Sequence, residues 1–524
     1  MAYITSYKNQ NWLIPNSIKD MIPANHICFF IEEFVESLDF SGFDMIYEGP
    51  GAPAYHPGII MKILIQGMLC KERSSRKLAR ACRENFVFMY LAEKVQPNFR
   101  TIARFRKNNA EFIKRTFKET VKLASKHNLI DLSLLCIDGS TIKANANRKK
   151  SVKREHIEKL DSIIKKMIEE DIKQDEIDEE IYKDKEENLT DMDKRDFKKI
   201  INDYKKAKDK DKIKEKIEKV KDEASSDEKA KKFSLTDPSS RMMQNKQKVN
   251  ELSYNTQLSV SKNQIIVAND VCQDGHDVHQ FVPQLKNIKE NIPLQKETKI
   301  AVDCGYSDGE NIKYAEENKI DLYVPSRTQA QKFDGKEESL NHDNYEYDER
   351  KKELIVKGER FQFRGTYKRK DGRVIATFYS KKLKKKKDVP FFFKERLRMK
   401  EKMESKEGVL VYLQRKTSIE PVFGNIKENF GFRQFSLRGL ENVKTELNIV
   451  CIAHNLKKIW ILGKEKEEKL RENMRELCNF NKKLVFINNY LIFIFNCETA
   501  SSVRFPEYLE RLSLVQSCKK KISR

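Results

Sequence analysis

Two short apolar segments of the chain each end in an aspartate that is followed at once by a glycine-containing turn. The first is LSLLCIDGS, with the acid at Asp138, and the second is KIAVDCGY, with the acid at Asp303. Segments of this length and composition predict buried strands, and ligands commonly bind where such strands end. An Asp-Gly turn within a hairpin is the alternative for Asp138. The repetition predicts an α/β protein with a site at one edge of a sheet.

The segments around these aspartates complete a mixed sheet. Residues 252–260 and 264–271 alternate apolar and polar side chains and predict a hairpin between the two aspartates. Residues 321–327 predict one more short strand, and a helix from Leu410 to about Asn429 follows later. That helix carries Glu420 on a polar side. The order of elements is the one needed to bring three carboxylates together at one sheet edge.

Carboxylate oxygens are hard ligands, and a site without Cys or His selects Mg²⁺ or Mn²⁺. Two such ions can activate water and stabilise the leaving oxygen of an in-line phosphoryl transfer. A second cluster, from Asp270 to His279, offers two histidines as metal ligands. We expect instead that these residues form a turn and that Asp277 caps the helix that follows.

The long helix also carries an aromatic residue and cations around Glu420. These are Tyr412, Arg415, Lys416 and Lys427. Lys416 lies one turn before the acid and Lys427 two turns after it, so they share its face. An acid flanked by cations could hold a metal ion while the cations hold phosphate. A solvated helix with ordinary charge pairs is the alternative.

The net charge of +23, from 103 Lys and Arg against 80 Asp and Glu, indicates an anionic partner, with nucleic acid favoured over a membrane surface. The ten cysteines show no C-x-x-C pair, which argues against a zinc module and favours a reducing compartment. The N-terminus lacks a signal-peptide pattern. The longest apolar run, Leu484 to Cys497, is shorter than the ~20 residues of a spanning helix.

Residues 1–128 predict a helical domain. A helix over SSRKLARACRENFVFMYLAE, a short break and a basic helix over FRTIARFRKNNAEFIKR have the helix-turn-helix layout, in which the second helix enters the major groove. We expect the cations of the second helix to be exposed and to bind DNA: Arg100, Arg104, Arg106 and Lys107. A helical bundle with a basic outer face is the alternative.

The remaining composition shifts predict two insertions and a tail. Residues 150–249 are rich in Lys, Glu and Asp and predict a charged helical insertion, which is either an exposed helical hairpin or a partly disordered arm. Residues 328–405 predict a small antiparallel sheet, with a basic patch at Lys381–Lys387. A basic tail occupies 466–524. The catalytic core would then comprise 129–149, 250–327 and 406–465.

The residues named so far resemble those of the DDE transposases of bacterial insertion sequences. The resemblance rests on Asp138, Asp303 and Glu420, on the spacing Tyr412-x2-Arg415-x4-Glu420-x6-Lys427, and on further motifs. These motifs are AYHPGIIMKILIQGML, SLTDPSSRMM, HDVHQ, VDCGY and EPVFGNIKENFGFRQFSLRGLENVKTELNIVCIAHNLKK. The resemblance covers roughly residues 10–465.

The resemblance implies a ribonuclease H-like core and a transposase that binds terminal inverted repeats, cleaves the element ends and joins them to target DNA. It implies that Asp138 and Asp303 bind two Mg²⁺ or Mn²⁺ ions and that Glu420 completes one site. The cations near Glu420 would hold transposon-end phosphates, with Tyr412 near the cleaved end. A homo-oligomer on DNA, in the bacterial cytoplasm and at the nucleoid, is the expected state.

One spacing departs from the family pattern. Relatives often show Tyr-x2-Arg-x3-Glu, and here one more residue lies before Glu420. Either Lys416 replaces Arg415 at the phosphate, or the helix begins later than Leu410. Two other functions remain: a ribonuclease H-fold nuclease that does not join DNA, and a DNA-binding transposase relic without activity.

Overall fold

A computed structural model gives the structure of the protein, and it describes residues 17–43, 54–169, 191–205, 211–245, 247–335, 345–369 and 374–466. The chain divides into two compact units, residues 1–460 and 461–524. In the second unit only residues 461–466 are described, and they are helical. The predicted apolar run Leu484–Cys497 and nearly all of the basic tail lie outside the described residues.

The first part of the chain is helical, as predicted. Proline at the first position and an N-cap from His56 start the second helix, α2. The side chains of Asn85 and Asn98 cap the helices that begin at Phe86 and Phe99. Asn109 separates two helices where we expected one basic helix. The helices are α1 (Ile27–Glu36), α2 (Pro57–Leu69), α3 (Ser75–Glu84), α4 (Phe86–Leu91), α5 (Phe99–Asn108) and α6 (Ala110–Lys126).

A six-stranded mixed sheet follows the helices. The strands run in the order β6–β5–β1–β7–β8, and β4 pairs with β5 on the same edge as β6. β1 is antiparallel to β5 and parallel to β7. The strands are β1 (Leu134–Lys143), β4 (Arg241–Gln244), β5 (Asn250–Ser261), β6 (Ile266–Cys272), β7 (Lys299–Val302) and β8 (Asp321–Tyr323). The β5–β6 hairpin and the mixed α/β fold class are confirmed.

The sheet and the first helices share one hydrophobic core. Asn455, on a helix over residues 440–466, is fully buried and joins three elements. Its side-chain amide donates to Thr120 of α6 at 3.0 Å and to the carbonyl of Ile266 at 2.8 Å, and its oxygen accepts from the Ile266 N–H. Every polar atom of this buried side chain is therefore satisfied, as a buried amide requires.

The charged segment after β1 is more ordered than we expected. Three helices, α7 (Ile157–Glu169), α8 (Asp191–Lys205) and α9 (Asp211–Ser226), pack around apolar residues such as Ile164, Ile201 and Ile217. A two-stranded sheet of β2 (Ser151–Lys153) and β3 (Lys232–Ser234) closes this core. The prediction of an exposed arm is wrong for the described residues, because sparse apolar side chains from separate helices meet in one core. β4 follows and already belongs to the main sheet.

The second insertion is the predicted antiparallel sheet. Its strands pair in chain order, from β9 to β13. Phe361 and Phe378 are buried in its own core, and the Lys381–Lys387 patch spans the β12–β13 turn and the first three residues of β13. The strands are β9 (Glu346–Asp348), β10 (Glu353–Val356), β11 (Glu359–Lys368), β12 (Val374–Ser380) and β13 (Lys385–Pro390).

The remaining helices lie beside the main sheet. They are α10 (Phe281–Asn291), α11 (Gly309–Glu317), α12 (Arg327–Phe333), α13 (Phe393–Glu404), α14 (Lys406–Gly424) and α15 (residues 440–466). Within the described residues, no helix combines the length and the hydropathy needed to cross a membrane.

The long helix α14 begins four residues earlier than predicted. Ser405 caps it by accepting from the Gly408 N–H at 3.0 Å. Gly408 therefore lies in the first turn, where a Cβ would stand 2.3 Å from the carbonyl oxygen of Lys402. The helix widens into a π-helical turn over Asn425–Asn429, and Gly431, with φ of 63°, follows it as predicted.

Candidate active site

The register of the two parallel strands brings Asp138 and Asp303 to the same level of the sheet. Ile137 pairs with Val302, and each aspartate is the next residue. β1 does not end at Asp138, as we had expected, but continues to Lys143 because β5 pairs with it along that whole length. The alternative of an Asp-Gly hairpin turn is therefore wrong too, because β1 runs through Asp138 and Gly139 without a turn. Only the pairing of β1 with β7 ends just before the aspartates.

A single guanidinium joins the two aspartates. Arg415 of α14 donates from Nη1 to Asp138 Oδ2 at 3.2 Å, and its Nη2 lies 3.8 Å from Asp303 Oδ1. The Arg415 side chain is only 5% exposed, and its buried Nε has no partner. Burial lowers the pKa of Arg415, but the two carboxylates outweigh burial and raise it above its ordinary value. Arg415 is therefore charged, and it offsets the charge of the two carboxylates in part.

Asp138 carries the most strongly perturbed carboxyl group of the site. Burial raises its pKa from 3.8 to about 6, Arg415 opposes this shift, and the negative charges of Asp303 and Asp277 add to it. Asp138 Oδ1 also accepts from the Gly139 N–H at 2.8 Å. The fold thus holds an acid that resists ionisation, as functional sites often do.

Asp277 is a third carboxylate at this place, and we had predicted only a helix cap for it. That prediction is wrong. Helix α10 begins at Phe281 without a side-chain cap bond, while Asp277 Oδ1 accepts from Asn255 at 2.7 Å and from Gln257 at 2.6 Å. These amides on β5 draw the carboxylate onto the sheet, beside Asp138. The motif HDVHQ contains Asp277, but the preference of aspartate for helix N-caps favoured the capping role.

Glu420 does not join the two aspartates in this structure. It is exposed, and the part of the chain that the structure describes contains no group of three acids, histidines or cysteines arranged to hold a metal ion. Arg415 and Glu420 are five residues apart, which is about 140° around a helix. With Arg415 turned to the sheet, Glu420 therefore faces elsewhere.

The other predicted site residues of α14 and of the π-helical turn after it take distinct positions. Lys416 pairs with Asp334 rather than with the site, so Arg415, not Lys416, occupies the inward phase. Lys427 donates to the hydroxyl of Ser140, two residues beyond Asp138 on β1. Tyr412 is buried against Phe333, with ring centroids 5.2 Å apart. Burial raises the pKa of Tyr412 to about 12.

The four basic residues predicted to bind DNA lie on α5. Arg100, Arg104 and Lys107 are exposed. Arg106 is buried, and its guanidinium donates to the carbonyl of Arg73 at 3.0 Å and to Ser75 Oγ at 2.7 Å. The expectation that Arg106 is exposed is wrong, because its phase on α5 turns it toward the start of α3.

The donor set for a divalent metal ion is present in part. Asp138 and Asp303 supply hard oxygen ligands, and they converge on one cation whose Nε is unsatisfied. These two residues fit a metal ion that takes the place of the guanidinium. Glu420 does not complete the set in the geometry described above.

A mixed α/β fold with two aspartates at equivalent positions on neighbouring parallel strands is consistent with the class of proteins that have a ribonuclease H-like core. Comparison with protein families gives the particular family. The family described as "Transposase DDE domain" matches residues 182–456, more than half of the chain, and the family described as "Transposase domain (DUF772)" matches residues 16–108. The chain belongs to the DDE transposases of insertion sequences, which confirms the resemblance.

This membership indicates a function in DNA transposition, a DNA substrate and the use of divalent metal ions. Asp303 and Glu420 lie inside the matched range, and Asp138 lies between the two matched ranges. None of the curated proteins compared with the chain matches it.

Proposed function

We propose that the protein binds the terminal inverted repeats of its own insertion sequence, cleaves the DNA at the element ends and joins these ends to target DNA. The observation that carries the proposal is the pairing of Ile137 with Val302, which sets Asp138 and Asp303 side by side with one cation between them. Two carboxylates held beside one buried guanidinium are a costly arrangement, since like charges lie close together, and phosphoryl transfer gives it a purpose.

In this proposal Asp138 and Asp303 hold the divalent ions, and Glu420 completes one of the two sites. When bound, such ions activate a water or a DNA 3′-hydroxyl and stabilise the leaving oxygen. Because Arg415 and Glu420 cannot both face the aspartates, α14 changes its position or its turn when the active complex forms. Arg415 is then released from the carboxylates and becomes free to pair with a phosphate of the DNA end.

The proposed DNA contacts fall into two groups. Near the aspartates, Lys427 and the released Arg415 hold phosphates of the cleaved end. Lys416 and Tyr412 reach the DNA only after α14 has moved, because Lys416 pairs with Asp334 and Tyr412 is buried in this structure. On the helical domain, Arg100, Arg104 and Lys107 lie exposed on one short helix and fit a DNA backbone or groove. The buried Arg106 is left out of this set.

The proposed assembly is a homo-oligomer on DNA, because the two ends of one element must be cut and joined together. Binding to chromosomal DNA would place the protein at the bacterial nucleoid. The predicted domain boundaries remain part of the proposal: a helical DNA-binding domain over 1–128, insertions over 150–249 and 328–405, a basic tail over 466–524, and a core made of 129–149, 250–327 and 406–465. The pairing of β4 with β5 extends this core to Arg241–Gln244.

The test uses the DNA that flanks this reading frame. Purified protein is mixed with labelled duplexes that carry the flanking inverted repeats, a target plasmid and Mn²⁺, and the products are resolved on gels. We expect cleavage at the repeat ends and strand-transfer products. Asp303→Asn should bind the duplex and yield neither product. Asp131→Asn is a matched control, because Asp131 is a 43% exposed carboxylate that lies ahead of β1.

Each alternative function has its own signature in this assay. A ribonuclease H-fold nuclease would release cleaved ends without strand transfer. An inactive relic would bind the repeats and cut nothing in any divalent metal. If Asp303→Asn cuts as well as the unmodified protein, the assignment of the site is wrong.

A further inference from the structure

The Asp277 carboxylate fills a space that two glycines leave open. A Cβ on Gly139 would lie 2.2 Å from Asp277 Oδ1, and a Cβ on Gly305 would lie 3.4 Å from Asp277 Oδ2. Gly139 directly follows Asp138, and Gly305 lies two residues after Asp303. One carboxylate therefore packs against the backbone that follows both aspartates, on strand β1 after Asp138 and in the turn Cys304–Tyr306 after Asp303.

Hydrogen bonds hold this carboxylate in place. Asn255 and Gln257 of β5 both donate to Oδ1, and Gln257 accepts in turn from the hydroxyl of the buried Tyr306. Tyr306 belongs to the turn that follows Asp303. The network thus connects β5, which pairs with β1 at Asp138, to the turn Cys304–Tyr306, which directly follows Asp303.

A second link ties the same two segments together. The Asn311 side-chain amide donates to the carbonyl of Val278 at 2.7 Å and to the carbonyl of Tyr306 at 3.0 Å. Asn311 is buried on α11, so this bridge is shielded from water. The segment around Asp277 is therefore fixed against the Asp303 turn by backbone as well as by side-chain contacts.

We propose that Asp277 is a positioning residue, which sets the separation and orientation of Asp138 and Asp303 by packing on Gly139 and Gly305. The inference rests on the proposed function, because it assigns a role toward the metal ions that the two aspartates would hold. Residues that orient metal ligands typically change metal affinity or activity 10- to 100-fold when they are substituted. Asp277 should therefore act on the metal step and not on DNA binding.

The test compares Asp277→Asn with Asp274→Asn. Asp274 lies in the same loop, but its carboxylate accepts only from the His276 N–H within the described residues, at 3.0 Å. We expect Asp277→Asn to bind end DNA with unchanged Kd, to lower kcat 10- to 100-fold with unchanged KM for DNA, and to need about 10-fold more Mn²⁺ for half-maximal cleavage. Asp274→Asn should match the unmodified protein in all of these.

Two glycine variants test independently whether the packing of Asp277 matters. Gly139→Ala places a methyl group against Asp277 and Gln257 and should reduce cleavage as Asp277→Asn does. Gly305→Ala makes only an ordinary 3.4 Å contact and should be tolerated. Hydrogen exchange of peptides covering 134–143 and 299–306, in the absence of metal and DNA, should be faster in Asp277→Asn than in the Asp274→Asn control.

The outcomes separate the two proposals. Unchanged kcat, Mn²⁺ requirement and exchange in Asp277→Asn would overturn the positioning role. Complete loss of cleavage and of Mn²⁺ binding, equal to that of Asp303→Asn, would overturn it also, since Asp277 would then be a ligand itself. If the unmodified protein never cleaves end DNA, the proposed function has failed, and the exchange measurement still decides whether Asp277 holds the two segments.

Discussion

The ionised form of Asp138 should cost the protein stability. Its side chain is only 19% exposed, it lies near Asp303 and Asp277, and one guanidinium offsets these charges in part. Replacing Asp138 by Asn keeps the size and polarity of the protonated acid and removes the charge. We therefore expect Asp138→Asn to stabilise the metal-free protein at pH 8, although it abolishes cleavage.

The raised pKa of Asp138 gives the size of the expected stability difference. A pKa of about 6 in the folded protein against 3.8 for the ordinary group corresponds to about 3 kcal/mol. Because the folded-state pKa is the higher one, this stability is fully present below the ordinary pKa and is lost as the pH rises through about 6. The gap between the variant and the unmodified protein should thus be about 3 kcal/mol at pH 8 and about half of that at pH 5.

Urea unfolding in the presence of EDTA, followed by tryptophan fluorescence at the two pH values, measures this gap. Asp131→Asn serves as the control for an exposed carboxylate and should shift neither transition by more than about 0.5 kcal/mol. If Asp138→Asn is less stable than the unmodified protein at pH 8, the attraction between Arg415 and Asp138 exceeds the cost of burial, and the reasoning is wrong.

Two further predictions concern arginines. Arg415→Ala should destabilise the metal-free protein by about 3 kcal/mol at pH 8, because Asp138 and Asp303 then lose their cation. In urea unfolding, Mn²⁺ should restore part of this loss, and equal stability of the variant with and without Mn²⁺ would contradict the prediction. Arg106→Ala should lower the free energy of unfolding by about 2 kcal/mol through its two lost buried hydrogen bonds. Arg104, which is exposed on the same helix, should behave in the opposite way. Arg104→Ala should leave stability unchanged and reduce the salt dependence of DNA binding by about one phosphate contact. Equal effects of Arg106→Ala and Arg104→Ala would refute the assignment of a structural role to Arg106 and a DNA-binding role to Arg104.

The elements around the aspartates could be predicted because their signals are local. Short apolar runs ending in Asp138 and Asp303, and the alternation of β5 and β6, depend on period and length alone. What local pattern could not show is where β1 stops. Its continuation beyond Asp138 follows from pairing with β5, a partner more than a hundred residues away, so an acid at the end of an apolar run lies inside the strand.

The helical insertion was mispredicted for a related reason. Charged residues dominate 150–232, and each of its helices carries only a narrow apolar stripe, which suggests an exposed arm when each helix is considered alone. Ile164, Ile201 and Ile217 form a core only after the three helices meet. The burial of an apolar side chain on a charged helix depends on a partner that composition does not reveal.

The site residues divide along the same line. Residue type and order could nominate Asp138, Asp303 and Glu420 as candidates, but could not show that Arg415, and not Glu420, faces the two aspartates. The helical phase that favoured Lys416 was counted from Glu420, whereas the structure turns Arg415 inward to meet the carboxylates of Asp138 and Asp303. Asp277 was missed because an aspartate shortly before a helix usually caps it, and here the side-chain amides of β5 compete for the carboxylate.

The claim that Asp138 and Asp303 are metal ligands is tested most directly by exchanging the ligand atom. In Asp303→Cys, a thiolate replaces a carboxylate, and it accepts Mn²⁺ more readily than the harder Mg²⁺. We predict that the unmodified protein cleaves end DNA in either metal, that Asp303→Ala cleaves in neither, and that Asp303→Cys cleaves in Mn²⁺ but not in Mg²⁺. Equal activity of Asp303→Cys in both metals, or no activity in either, would contradict the assignment of Asp303 as a metal ligand.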